Sequence, residues 1–230
     1  MCGRYTLFTP QSTLEDRFDA AFPRSIEPRY NCAPGQQLPV LTSDDPDQFS
    51  FKKWGLIPAW ADDDSTSFIN ARAETVGEKR SFAEPFESRR CLVPADGFYE
   101  WADRGEEKQP YRVAYADDRP FAMAGLWERW TPPTRQTGLG EFAGDDDGDT
   151  DPIETFTVIT TEPNAVVSDL HHRMAVVLSP DEEDTWLHGD EHAASKLLDP
   201  EPADDWRAYP VSTRVNSPAN DGPELVEAVE

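Results

Sequence analysis

Arg90-Cys91-Leu92-Val93-Pro94-Ala95-Asp96-Gly97-Phe98-Tyr99-Glu100-Trp101 reads as a strand through 91–94, followed by a segment that closes on aromatic residues. Glu100 stands between Tyr99 and Trp101 at an otherwise apolar strand end, where an acid is unexpected. Two readings stay open. Glu100 is either an outward-facing residue on an alternating strand, or a carboxyl held against aromatic groups, with a raised pKa suited to a general acid. Further strands are expected at 38–42, 49–54 and 155–160, and at 111–116 and 121–127 as a pair across the Asp118-Arg119-Pro120 turn. Residues 29–35 read as a loop from their Asn, Pro and Gly content. Thr9-Pro10 resembles an N-cap with proline in the first helical position, and Leu14, Phe18 and Phe22 give the helix one apolar stripe. Ser179-Pro180-Asp181-Glu182 opens a second helix with a capping box. Many short strands with few short helices give an α+β class, with a curled, barrel-like, mainly antiparallel sheet.

The chain has 230 residues, enough for a real core, and one domain is expected over residues 2–222. Residues 131–151, with two adjacent prolines, four glycines and an aspartate run, read as an acidic insertion loop, and 223–230 as an acidic tail. Basic residues number 21 against 45 acidic ones, for a net charge of −24, and the apolar share is 37%. Low hydrophobicity with high charge can mean disorder. Seven Trp, twelve Phe and six Tyr supply core volume instead, so a folded protein with an acidic surface is expected. Such a surface suits high salt, and a halophilic origin follows as an expectation. No run approaches 18 apolar residues and no secretory signal opens the chain, so neither a membrane span nor export is expected. Three cysteines, Cys2, Cys32 and Cys91, fit neither a disulfide framework nor a metal pattern. The expected compartment is the reducing cytoplasm, with no metal and no cofactor.

Cys2 directly follows Met1. If the methionine leaves, the chain begins with an α-amine and a thiol on one carbon skeleton, a 1,2-aminothiol that attacks aldehydes through nitrogen and closes a ring through sulfur. Asn70 and Arg72 are two apart, so on a strand they share a face. His171 and His172 are two of only four histidines, and adjacent histidines seldom both face one site.

Taken together, Met1-Cys2-Gly3-Arg4-Tyr5, Tyr30-Asn31-Cys32-Ala33-Pro34, Trp54-Gly55-Leu56-Ile57-Pro58-Ala59-Trp60, Asn70-Ala71-Arg72-Ala73-Glu74-Thr75, the 90–101 run, His171-His172-Arg173-Met174 and the 210–216 run resemble the SOS response-associated peptidase (SRAP) family. The resemblance runs in family order over nearly the whole chain. It implies a single SRAP-type domain that senses abasic sites in single-stranded DNA and crosslinks to them through a thiazolidine at Cys2. It implies that Asn70 positions the sugar, that Glu100 orients the amine and shuttles protons, and that His171 promotes ring opening. Arg4, Arg72 and Arg173 match phosphate-contacting positions, and the resemblance implies that Pro34, Trp60 and Trp101 pack against bases or bend the strand. A monomer, associated with the nucleoid on damaged DNA, is expected. Ala175 stands where many relatives have proline. The alternatives are a peptidase acting through Cys2, with lyase or self-cleaving activity, and a non-covalent single-strand binding module.

Overall fold

The computed structural model describes residues 2–103, 105, 108–133 and 151–229. Along the chain come β1 (Tyr5–Leu7), α1 (Gln11–Phe18), β2 (Arg29–Cys32), β3 (Gln37–Thr42), β4 (Asp45–Trp54), β5 (Asn70–Arg72), α2 (Ala83–Ser88), β6 (Arg90–Ala95) and β7 (Gly97–Asp103). Then follow β8 (Lys108–Tyr115), β9 (Phe121–Trp130), β10 (Ile153–Thr161), β11 (Met174–Ala175), β12 (Val177–Leu178), α3 (Pro180–His188), α4 (Glu191–Ser195) and β13 (Trp206–Pro210). Most of the expected insertion loop, 134–150, lies outside the described residues.

The strands form two sheets. In one, β3 pairs with β4 and β6, β6 with β9, β9 with β10, and β10 returns to β4. That circuit closes a five-stranded barrel, antiparallel except at the parallel β4–β10 joint, and closure removes the exposed edges an open sheet would leave. The second sheet is antiparallel throughout, in the order β13-β8-β7-β1-β2. One continuous core joins them: Tyr5, Phe98, Val113 and Trp206 from the open sheet pack with Phe121, Val93 and Phe156 from the barrel. The α+β class with a curled, mainly antiparallel sheet is thus the fold observed.

The 90–101 run is the hinge of this arrangement. Its first half is β6 in the barrel and its second half is β7 in the open sheet, so one strand changes sheets at Asp96, the usual way to turn a corner between packed sheets. The joint is tied at several points. The Asp96 N–H donates to the Thr6 carbonyl (2.9 Å), and its Oδ2 accepts from the Phe8 N–H (2.6 Å), the Thr9 N–H (2.8 Å) and the Thr9 hydroxyl (3.0 Å). Arg112 donates to the Asp96 carbonyl at 2.7 Å, and its guanidinium lies over Gly97.

Several local expectations change. Thr9 does not cap a helix, because its hydroxyl is spent on Asp96; Pro10 is the N-cap and α1 starts at Gln11. Residues 29–32 are a strand, with Tyr5 opposite Cys32 and Leu7 opposite Arg29. Residues 111–116 and 121–127 do not pair. β8 lies between β7 and β13, and β9 lies in the barrel between β6 and β10. The intervening turn crosses between sheets, with Asp118 in the left-handed region (φ 55°) and its carboxylate held by Arg112 at 2.6 Å. Nor is the C-terminal stretch a free tail: Leu225 is fully buried beside Tyr99, Val211 and Val215, and the Val229 N–H donates to the Pro210 carbonyl.

Candidate functional site

The site lies where the N-terminal edge of the open sheet meets the β5–β10–β11 end of the other sheet. Tyr5 pairs with Phe98 and the Tyr99 N–H donates to the Arg4 carbonyl (3.0 Å), so the chain start is zipped along β7. Strand alternation then decides the question left open for Glu100. Phe98 belongs to the main core, while Tyr99 and Trp101 pack in a separate cluster on the other face with Val211, Val215 and Leu225. Glu100 shares the Phe98 face, points inward and is 2% exposed. Burial pushes its carboxyl up to about 7, the range of a working acid or base.

Cys2 is wholly buried, and Glu100 is close enough for its charge to act on the thiol. Burial first, then that carboxylate, pushes the thiol well above its ordinary range, against the Arg4 N–H, which acts the other way. Asn70, at the start of β5, donates from Nδ2 to the Cys2 carbonyl (3.0 Å) and to the Ile69 carbonyl (2.7 Å). Its Oδ1 is buried with no hydrogen-bond partner among the described residues, leaving an acceptor beside the first residue of the fold.

β10 brings in the rest. Thr160 lies opposite Arg72 on one side and Ala175 on the other, so β5 and the 171–173 turn flank one strand. The Arg173 N–H donates to His171 Nδ1 at 3.0 Å, and the imidazoles of His171 and His172 stack at 4.2 Å. Burial lowers the His171 pKa. Asn70 is thus bonded to Cys2, the Glu100 charge acts on the Cys2 thiol, and the segment between β10 and β11 carries His171 to the same end of the sheets.

The DNA-facing expectations divide. Arg72 is exposed and forms no ion pair among the described residues. Arg4 is committed to the protein, donating to Asn31 Oδ1 (3.2 Å), the Val215 carbonyl (2.7 Å) and the Asn216 carbonyl (3.4 Å). Arg173 is likewise engaged: both its terminal nitrogens meet the Glu74 carboxylate, and one also donates to the Thr160 carbonyl. Pro34 is exposed in the turn between β2 and β3. Trp60 is 40% exposed with the Arg80 guanidinium 5.2 Å from its ring centroid, and Trp101 donates from Nε1 to Asn216 Oδ1 at 2.8 Å. Glu74 was not singled out from sequence. It is the only acid in the 70–75 run, but its partner is 99 residues away. No group of three or more metal-ligating side chains occurs among the described residues.

A family model described as "SOS response associated peptidase (SRAP)" matches residues 1–218. The chain belongs to the SRAP family. It is 40% identical, over 99% of its length, to the whole of the abasic site processing protein YoqW of Bacillus subtilis (strain 168). It is 31% identical, end to end in both chains, to the abasic site processing protein YedK of Escherichia coli (strain K12). A crystal structure of a Bacteroides thetaiotaomicron protein superposes over the full length of both chains with a TM-score of 0.84 at 27% identity. The candidate residues Asn70, Glu100 and Cys2 thus lie at one end of the sheets, in a chain similar throughout to proteins named for abasic site processing. No helix among the described residues is long and apolar enough to cross a membrane.

Proposed function

We propose that this SRAP protein processes abasic sites in single-stranded DNA by covalent capture through Cys2 after removal of Met1, acting as a monomer. What carries the reading is the placement of Cys2: a buried cysteine one residue from the chain start, gripped at its carbonyl by Asn70 and faced by the Glu100 carboxyl. The relatives' names supply the substrate class.

The chemistry balances with these groups alone. An abasic deoxyribose opens to an aldehyde. The Cys2 α-amine adds to that carbon to give a carbinolamine, and loss of one water leaves a Schiff base. The thiol then adds to the imine carbon and its proton passes to nitrogen, closing a thiazolidine. Aldehyde plus aminothiol thus yields a ring and water. Glu100, with a pKa near neutrality, accepts a proton from the incoming amine and returns it to the departing hydroxyl. His171 assists opening of the sugar ring, and the free Oδ1 of Asn70 accepts from the sugar. Arg72, with Trp60 as an exposed ring for stacking, holds the flanking strand.

The raised thiol pKa weighs against the peptidase reading. A thiolate nucleophile needs a lowered pKa from a neighbouring cation, whereas here burial and a carboxyl keep the sulfur protonated until the imine is in place. The test is a denaturing gel and intact mass after mixing the protein with glycosylase-treated, uracil-containing oligonucleotide. The expected product has the mass of protein lacking Met1 plus DNA minus one water. Cys2→Ala should leave no such product, and a shifted band from that variant would end the thiazolidine mechanism.

A further inference from the structure

The 70–75 run supplies two anchors. Asn70 holds the carbonyl of Cys2, and four residues later Glu74 holds Arg173 through both carboxylate oxygens. Between them lie only the end of β5 and one 3-10 turn, Ala73–Thr75. One short segment therefore ties the chain start to the turn that carries His171.

A guanidinium has five N–H donors. Arg173 gives two to Glu74 and another to the Thr160 carbonyl, and its side chain is 11% exposed. A cation this enclosed is stable only while paired, and removing its partner leaves a buried charge that moves toward water. The backbone of the same residue acts on the imidazole. Its N–H lies 3.0 Å and its carbonyl oxygen 3.2 Å from His171 Nδ1, so the way residue 173 is held decides whether that nitrogen accepts from the N–H or donates to the carbonyl. Movement of the Arg173 side chain would pull on this N–H and release the ring.

We propose that Glu74 is a positioning residue: by clamping Arg173 it fixes the 171–173 turn, and so the orientation and the proton-bearing nitrogen of His171. This rests on the covalent-capture reading for its effect on rate, though not for its effect on the ring. The clamp also bears on phosphate binding. Arg173 as held here keeps few donors for DNA, so its contribution runs through His171, and Arg72 is the exposed arginine of the set.

The test separates the two parts. Long-range proton–nitrogen spectra of the four histidines, with His171 identified by its loss in His171→Asn, report the tautomer in the free protein. The wild type should show His171 in a single fixed tautomer, and Glu74→Gln should show an exchange-averaged ring. In single-turnover capture of an abasic oligonucleotide, Glu74→Gln should lower the maximal rate on the order of ten-fold to a hundred-fold, the scale of a reacting group displaced by about 1 Å, with unchanged half-saturation. Glu74→Asp, which keeps the charge on a shorter arm, should recover part of that loss and covers the case in which the glutamine variant does not fold. Glu162→Gln, which alters another carboxylate lining the surface cavity that Glu74 also borders, should leave both readouts unchanged. Identical His171 signals in wild type and Glu74→Gln would overturn the proposal. So would tighter half-saturation at unchanged rate, which would mean that Glu74 only competes with phosphate for Arg173. Failure of the wild type to capture DNA would instead fall on the proposed function, while the ring spectra would still decide the clamp.

Discussion

Glu100 joins a structural cost to a chemical use. Its carboxyl is raised by burial from an ordinary 4.5 to about 7, so between those values the folded chain holds a proton that the unfolded chain releases. Stability from this group is fully present below about pH 4.5 and is lost as pH rises through 7. The whole shift corresponds to on the order of 3 kcal/mol. Glu100→Gln mimics the protonated form, so it should melt with the wild type near pH 4.5 and above it at pH 8.5, by roughly 2–4 °C per kcal/mol for a domain of this size. A constant difference across that range would show that the carboxyl titrates normally. The same substitution removes the proton carrier, and the capture rate should fall on the order of a hundred-fold, measured by quenched time points on denaturing gels. A variant that is more stable yet slower would mark Glu100 as held in place for chemistry.

At the scale of elements, the joint between β6 and β7 sets the relation of the two sheets. An added Cβ on Gly97 would lie 2.8 Å from Arg112 Nε, 2.9 Å from Nη2 and 3.0 Å from Cζ. That guanidinium cannot give way cheaply, being fully buried and bonded to Asp96, Asp118 and Tyr209. Gly97→Ala should therefore destabilise by about 1–3 kcal/mol, read as a lower urea midpoint with an unchanged slope. A midpoint equal to that of the wild type would mean Arg112 is freer than its bonds imply. The 90–101 run shows how legibility divides. Its strand character was plain from its apolar content, but the change of sheet at Asp96 depends on Thr6, Phe8, Thr9 and Arg112, which no local pattern connects to it. The 29–32 strand was hidden for the same reason. Asn31 reads as a loop residue, yet its Nδ2 is satisfied by the carbonyls of Val215, Ser217 and Asn220, more than 180 residues away. Long-range bonds of this kind override local composition.

For the whole molecule, Cys2, Asn70, Glu100 and His171 stood out as candidates only through the set of short motifs taken together, while the engagement of Arg4 and Arg173 could not be read, because their partners are distant in sequence. The same pairing explains how a chain of net charge −24 meets a polyanion. Arg17, Arg29 and Arg119 pair with Glu183, Asp221 and Asp205, and Arg112 and Arg207 share Asp118, so these five cations are already engaged within the protein. Non-covalent affinity should then be modest and sensitive to salt. With about two phosphate contacts on a single strand, it should fall roughly twenty-fold to thirty-fold from 0.1 to 1 M. Covalent capture changes what that loss means. The initial rate at low protein should fall with salt in step with binding, whereas the final yield of crosslink should persist at molar salt, because a closed thiazolidine does not dissociate when phosphate contacts are screened. Fluorescence anisotropy on an intact oligonucleotide and gel yield on its abasic counterpart, across the same salt series, measure the two quantities side by side. Yield that collapses to background together with affinity would show that the site depends on electrostatic residence rather than on bond formation.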